Sequence, residues 1–590
     1  MKSCLALILI CLALAVSAAA LDREAFTITR YQLEVQIDRA SHVMAVTGQL
    51  TLRNDSKSTQ KNVALQVSSS LSWNGIALDS KPLEWIGNNY TSDIDHTGVL
   101  SEAVAAVPKA VLPGGTITLD VQYGGTVTPD STRLTRMGAP TEMALRNDWD
   151  QISEPFTAIR GLGYVVWYPV SLPAVSMSDG NAVFDAIDAW KFRHERTEFN
   201  AHIEVVSADV KLCIAGNATV SSCGELGGTE NPRTGGRANQ VSNSIHLAGL
   251  AQIVPSFSVA DYAQLERPGV TLFHTLEKVS PAKDYAAAAE ANEPLLQEWL
   301  TPTARRITVI ELTDPNANPY QNGAVLFTPL RPSQPATLEL LMMPVQVAAR
   351  FASSRRWIED GLQRFLQAVS VERRSGRKAA LQFLDEYLAP LVKEEEPASP
   401  EPGSAEKTSD RHPADNTLLN TSDEILLRGK GSFVFWMLRD MVGDEVLQHA
   451  LAAYRPGTDV NPTYFQGLLE DGKKRNLEWF FDDWVYRNRG LPDFRVENAY
   501  VRPLLQNPSK IVLVTVTIEN RGAAGAEVPV LIQTPDGEKI ARVLVMGHQK
   551  ASERVQVPAA PTKVVVNDGS VPEVNSDDNT FEAPAAPAPE

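Results

Sequence analysis

Cysteine is nearly absent, with four residues in 590, at positions 4, 11, 213 and 223. So few thiols do not build a disulfide framework or a thiolate metal cage. Basic residues are outnumbered, 54 Lys and Arg against 71 Asp and Glu, for a net charge of −17. That balance argues against nucleic acid and anionic membrane surfaces as partners, because both require clustered positive charge. Past the N-terminus no stretch of about 18 uninterrupted apolar residues occurs, so no later segment reads as a spanning helix. Nine histidines are scattered along the chain and no two stand four residues apart. The pair of imidazoles that one helix face offers to zinc is therefore missing. There is no G-x-S-x-G elbow and no G-x-x-x-x-G-K-S/T loop, which leaves a serine hydrolase or a nucleotide enzyme without support. No internal repeat is present.

The N-terminus is informative. Lys2 supplies a positive start, Leu5 to Val16 an apolar stretch, and Ser17-Ala18-Ala19-Ala20 the small residues of a cleavage site. Residues 1–20 read as a secretory signal peptide, too short to span a membrane. The expected location is extracytoplasmic, secreted or periplasmic, with no stable membrane span after cleavage. Cys4 and Cys11 leave with the signal. Cys213 and Cys223 remain, with Gly216 and Asn217 between them. In an oxidising compartment they can close a β-hairpin as a disulfide; two unpaired buried thiols are the alternative.

Residues 21–264 read as β-structure. Tyr31 to Ile37 alternates with period two, as a half-buried strand does, and Val46 to Leu52 repeats the pattern. Residues 265–495 change character. Asp284 to Leu300, Leu338 to Phe351, Trp357 to Val371 and Lys378 to Leu391 have helical spacing, and Ile307 to Leu312 looks like a buried strand. Within this region 393–417 is rich in Glu, Pro and Ser and is expected to be a disordered insertion. Residues 496–582 turn β again, led by Ile511 to Ile518, with turns at Asn520-Arg521-Gly522 and Pro535-Asp536-Gly537. Short strands at regular spacing suggest a sandwich. Residues 583–590 are a Pro- and Ala-rich tail expected to be disordered.

Several separated pieces, in order, resemble the membrane alanyl aminopeptidase family of zinc metallopeptidases, the gluzincin aminopeptidases. Leu112-Pro113-Gly114 with Tyr123-Gly124-Gly125 looks like its l-x-P-G to Y-x-G segment, and Val166-Trp167-Tyr168-Pro169 like its W-x-P segment. Pro255-Ser256-Phe257 with Asp261-Tyr262 resembles the end of its first domain, and Trp357-Ile358-Glu359-Asp360-Gly361 resembles W-L-N-E-G. Lys430-Gly431, Met437-Leu438-Arg439 and Gly443-Asp444 look like its K-G to M-L-R helix. Trp479-Phe480-Phe481, Trp484 and Gly490-Leu491-Pro492 look like its closing segment. The resemblance implies a multidomain α+β fold: an N-terminal antiparallel β saddle, a central thermolysin-like α-rich domain and a C-terminal β sandwich. It also implies removal of N-terminal amino acids from peptides. Two imidazoles and a general-base Glu on an H-E-x-x-H helix, and a later Glu, hold zinc and activate its water.

Those parts have no counterpart here. Counting back by shape from Phe351 and Trp357 puts the two imidazole positions at Pro344 and Ala348 and the base at Val345. Counting instead roughly eighteen residues before the third ligand puts them at Thr337 and Leu341, with the base at Leu338. The third ligand position is Asp360, and a single carboxylate without imidazoles is a poor zinc site. The strand that should carry an amine-binding Glu reads Asn322-Gly323-Ala324-Val325, and Arg428 stands where the oxyanion-stabilising Tyr belongs.

The expectation is a degenerate, non-catalytic member with no metal cofactor, binding a peptide or protein in the old cleft at Gly323, Asp360 and Lys430. An active metallopeptidase with an atypical site is one alternative. An envelope scaffold acting through its β domains is another. The basic residues Arg355, Arg356, Arg373, Arg374, Arg377 and Lys378 read as a solvated helix face, or as a site for an acidic ligand.

Overall fold

The computed structural model describes residues 21–207, 211–217, 222–225, 229–230, 237–251, 253–301, 305–395, 416–503 and 511–582. The signal expected over 1–20, most of the insertion expected over 393–417, and the tail over 583–590 lie outside the described residues. The chain is a mixed α/β multidomain protein with several sheets. It divides into two compact units. One holds the residues up to Tyr262 together with Thr313–Asn318; the other holds Ala263–Leu312 and the chain from Pro319 onward.

The first unit is built on an eight-stranded sheet whose central strands are Glu198–Ser207, Phe26–Asp38, Val43–Asn54 and Thr116–Thr126. The alternation read over Tyr31 to Ile37 is the alternation of burial in the strand, since Tyr31, Leu33, Val35 and Ile37 are all buried. The sheet is antiparallel except that Phe26–Asp38 and Glu198–Ser207 run parallel. Period-two patterning fixes which face a strand buries but not the direction of its neighbour. A parallel neighbour needs a long crossover, and here more than a hundred residues supply it. Smaller sheets pack beside this one, among them a three-stranded sheet of Gln60–Ser68, Val99–Val111 and the edge strand Trp85–Thr91.

The segment resembling W-x-P passes through the middle of this core. Trp167 packs edge-on against Phe199 and Phe257, with ring centroids 5.7 and 5.6 Å apart. Trp167 Nε1 donates to the Pro255 carbonyl at 3.1 Å, Tyr123 Oη to the Trp167 carbonyl at 3.1 Å, and Tyr31 Oη to the Pro169 carbonyl at 2.8 Å. Buried aromatics with polar tips thus satisfy a backbone that has no ladder of its own. Cys213 and Cys223 face each other across strands Lys211–Gly216 and Ser222–Glu225 and form a disulfide, with Cα atoms 4.1 Å apart.

The second unit opens on a mixed five-stranded sheet in which Val270–His274, Ile307–Glu311 and Val325–Thr328 are parallel. Helix Val279–Trp299 makes the crossover between the first two. Helices Pro335–Arg350, Arg356–Ser375, Arg377–Asp385, Leu388–Glu395 and Gly431–Val442 follow. The helix expected over Lys378 to Leu391 is two helices. Pro390 has no N–H to give the Glu386 carbonyl and its ring clashes there, so the chain turns at Glu386 and Tyr387. Lys393 to Glu395 close the second of them, so helical order runs into the stretch assigned to the insertion.

Two C-terminal sheets, Phe494–Pro503 with Val512–Asn520 and Lys550–Val557, and Gly537–Val545 with Ala526–Thr534, Lys563–Val566 and Thr580–Glu582, complete the unit. Their buried valines and isoleucines belong to the same hydrophobic cluster as Trp357, Phe365 and Trp436 of the helices. The junction is also polar: Trp484 Nε1 donates to the Gly525 carbonyl at 2.8 Å, and Arg377 pairs with Asp440 at 2.7 Å and Asp568 at 2.8 Å.

Candidate functional site

The helix on which the resemblance places a metal site is Pro335–Arg350. Its sequence is apolar on two faces. Leu338, Met342, Val345 and Ala349 enter one hydrophobic cluster, and Met343 and Val347 enter the other. Pro344 and Ala348 are half-buried and carry no donor atom. Val345, at the base position, is fully buried. In the other register Thr337 is exposed, Leu341 half-buried and Leu338 buried. Both registers thus present carbon, or at most one hydroxyl, where two imidazoles and a carboxylate are needed.

Pro344 lies inside the helix. Lacking an N–H, it leaves the Leu340 carbonyl without its intrahelical partner. Gln367 of the following helix fills the gap, its Nε2 donating to that carbonyl at 2.7 Å. The position is thereby built into helix packing. Gln346 on the same helix is buried and bonds Asn292 Nδ2 at 2.9 Å and the Ala289 carbonyl at 2.8 Å, tying it to Val279–Trp299.

Asp360 sits in the first turns of helix Arg356–Ser375, half-buried, and pairs with Arg356 at 3.5 Å across one turn. Glu359 points elsewhere and accepts the Ser353 N–H at 2.9 Å. Arg428 pairs with Glu424 at 2.8 Å, again one turn away. Gly323, with φ of +59°, is the first of the two residues that turn strand Tyr320–Asn322 into Val325–Thr328. A two-residue hairpin with positive φ at its first position asks for glycine.

Lys430 is buried, its ammonium 2.7 Å from Glu395 Oε1 and 3.2 Å from Asn488 Oδ1, and 5.8 Å from the centre of the Trp484 ring. Both members of the ion pair are 3% exposed. Next to it Gly361 crosses Gly431 so closely that a Cβ on Gly361 would stand 2.8 Å from the Gly431 carbonyl carbon.

The basic run is divided: Arg356, Arg373, Arg374 and Lys378 are exposed, whereas Arg355 and Arg377 are half-buried. Arg355 binds both oxygens of Asp459, at 3.0 to 3.2 Å, and Tyr454 Oη also donates to that carboxylate. Burial first, and then the Asp459 bond, pushes the Tyr454 phenol up to about 12, so it stays neutral and serves as a donor. Arg373 pairs with Glu298 and Arg374 with Glu339. Sequence spacing gives no sign of the Arg355–Asp459–Tyr454 cluster, because Arg355 lies about a hundred residues from the other two.

Among the described residues no group of three or more His, Cys, Asp or Glu is placed to hold a metal ion. The residues present do not fit zinc: the candidate positions offer one paired aspartate, a proline and an alanine, with no imidazole.

No family model matches the sequence, and no curated protein does. Among solved structures, a mutant of an M1 zinc metallopeptidase from Deinococcus radiodurans is similar at 14% identity and a TM-score of 0.47, over 80% of this chain and 96% of that one. Among the described residues no helix is long and apolar enough to cross a membrane.

Proposed function

We propose that this chain is an extracytoplasmic protein of aminopeptidase-like organisation that binds a peptide or protein without hydrolysing it and carries no metal cofactor. The reading joins the ordered motif resemblance to one observation. In one of the two registers a family zinc-ligand position falls on Pro344, whose consequence for the helix is already compensated by Gln367. A helix repaired around a proline is adapted to packing. Lys430 is committed to a buried ion pair with Glu395, and Asp360 and Arg428 make ion pairs one turn away on their own segments, which favours structural roles for all three. The absence of imidazoles from the described residues at these positions supports the reading, since peptide hydrolysis on zinc requires ligands and a general base there.

The test is metal content by plasma mass spectrometry, on protein equilibrated with zinc and then dialysed, together with cleavage of N-terminal residues from an unblocked peptide mixture. The expected result is no stoichiometric metal, no release of amino acids, and recovery of intact peptides with the protein. About one zinc per chain, or cleavage lost in Asp360→Ala, would overturn the reading. Secretion is tested separately: the mature chain is expected to start at Leu21.

A further inference from the structure

Strand Trp85–Thr91 is an edge of the three-stranded sheet in the first unit, paired on one side only. It runs antiparallel to Val99–Val111, with Trp85 opposite Ala105. Just beyond one end the Ala106 N–H donates to the Glu84 carbonyl, and just beyond the other the Ser92 N–H donates to the Gly98 carbonyl, both at 3.1 Å. Bonded and non-bonded pairs alternate along an antiparallel ladder, so Ile86, Asn88 and Tyr90 turn their backbone groups to that neighbour. Trp85, Gly87, Asn89 and Thr91 turn N–H and C=O outward. None of these outward groups has a partner among the described residues. Access to them is open: Ile86 is 74% exposed, and Gly87, Asn88, Asn89 and Thr91 are exposed as well.

Free edges invite pairing, and proteins guard them with charge, proline, bulges or cover. Among the described residues, every other edge strand of five or more residues is guarded. Ala263–Arg267 carries Glu266 and Arg267, Gly537–Val545 carries Glu538 and Lys539, and Lys550–Val557 carries Glu553 and Arg554. Phe494–Pro503 has charges and a bulge between Val496 and Asn498, and Gln60–Ser68 is bridged at Gln66 to Val170. Trp85–Thr91 has no charge, no proline and no bulge.

We infer that this strand pairs antiparallel with the same strand of a second copy of the chain, about a twofold axis at Asn88. This register uses the whole strand. Trp85 lies opposite Thr91 of the second copy and Gly87 opposite its Asn89, so every outward group of both strands is bonded. Ile86 lies beside Tyr90 of the second copy, a β-branched and aromatic pair of the kind that stabilises sheets. Residues near a twofold axis meet their own copies, so a charge there would oppose itself; this strand has none. An extended peptide would need side-chain pockets to fix its register, whereas a second copy brings its own. Seven residues a side is small beside a standard interface, so the dimer is expected to be weak, with Kd on the order of 10 μM. The inference is independent of the peptide binding proposed above.

The experiment is sedimentation velocity from about 1 to about 100 μM. It uses the full chain made in bacteria, so that the Asn89-Tyr90-Thr91 triplet stays unmodified. Expected is a dimer that grows with concentration and is weakened roughly tenfold or more by Asn89→Pro and by Ile86→Lys. Asn89→Pro removes an outward N–H and spares the existing ladder, and Ile86→Lys supplies the missing guard. Circular dichroism and the unfolding midpoint of both variants should match the parent. Asn88→Cys should form an intermolecular disulfide in air, because non-bonded antiparallel pairs bring Cα atoms to about 4.5 Å. A chain still monomeric at the highest concentration, or a dimer unchanged in both variants, overturns the inference. So does cross-linking of Asn88→Cys no faster than that of Tyr500→Cys, an exposed position on another sheet. A monomer that instead captures an extended peptide along this edge overturns it too.

Discussion

His194 follows helix Ala182–Arg193, buried against Trp190 with ring centroids 4.2 Å apart, its Nδ1 2.8 Å from the Trp190 carbonyl. Burial lowers its pKa from 6.5 to about 4. The folded state therefore resists a proton that the unfolded chain accepts. As pH falls from 6.5 towards 4, stability should drop, by on the order of 3 kcal/mol in total. Urea unfolding across that range should show the slope, and His194→Gln should flatten it.

Lys430 and Glu395 make a second test at this scale. Lys430→Met leaves a buried carboxylate unpaired and should cost about 3–5 kcal/mol, whereas the double change with Glu395→Met should restore most of that. A double-mutant cycle by denaturant unfolding reads the difference.

Among elements, the crossing of helices Arg356–Ser375 and Gly431–Val442 depends on Gly361. The clash facing a new Cβ is backbone, which cannot rotate away, so Gly361→Ala should destabilise by about 1–3 kcal/mol. Gln367→Ala should cost about 1–3 kcal/mol by leaving the Leu340 carbonyl unsatisfied. Thermal unfolding of each variant checks both.

Elements of this length were legible in the sequence. Leu338 to Phe351 and Trp357 to Val371 correspond to helices Pro335–Arg350 and Arg356–Ser375, and Ile511 to Ile518 to strand Val512–Asn520 with alternating burial. The sheet flanking helix Val279–Trp299 was mostly not legible, because its strands are only three to five residues long. Nor could spacing show that Arg355 meets Asp459, or that Lys430 turns inward to Glu395. Those are tertiary choices. Apolar residues at Pro344, Val345 and Ala348 were plain from the letters alone; the repair by Gln367 was not.

For the molecule as a whole, the continuity of one hydrophobic cluster from the helices into the C-terminal sheets matters most. Deleting residues 496–590 would expose the apolar faces of Trp484, Phe480 and their neighbours and remove the Asp568 partner of Arg377. The truncated chain should be insoluble, or should bind a hydrophobic dye as a loosened state. In calorimetry of the full chain, the helices and the C-terminal sheets should unfold in one transition.

Pro344 also bears on which sequences can be reached from this one. A residue with an N–H at 344 would restore the intrahelical bond to the Leu340 carbonyl, which has a second lone pair for the Gln367 amide, whereas a change at 367 alone abandons that carbonyl. The two positions are therefore epistatic in one direction: replacement at 367 is tolerated best once 344 has regained an N–H. Drift along this pair of helices thus has a preferred order, with position 344 free to move first and position 367 held until it has.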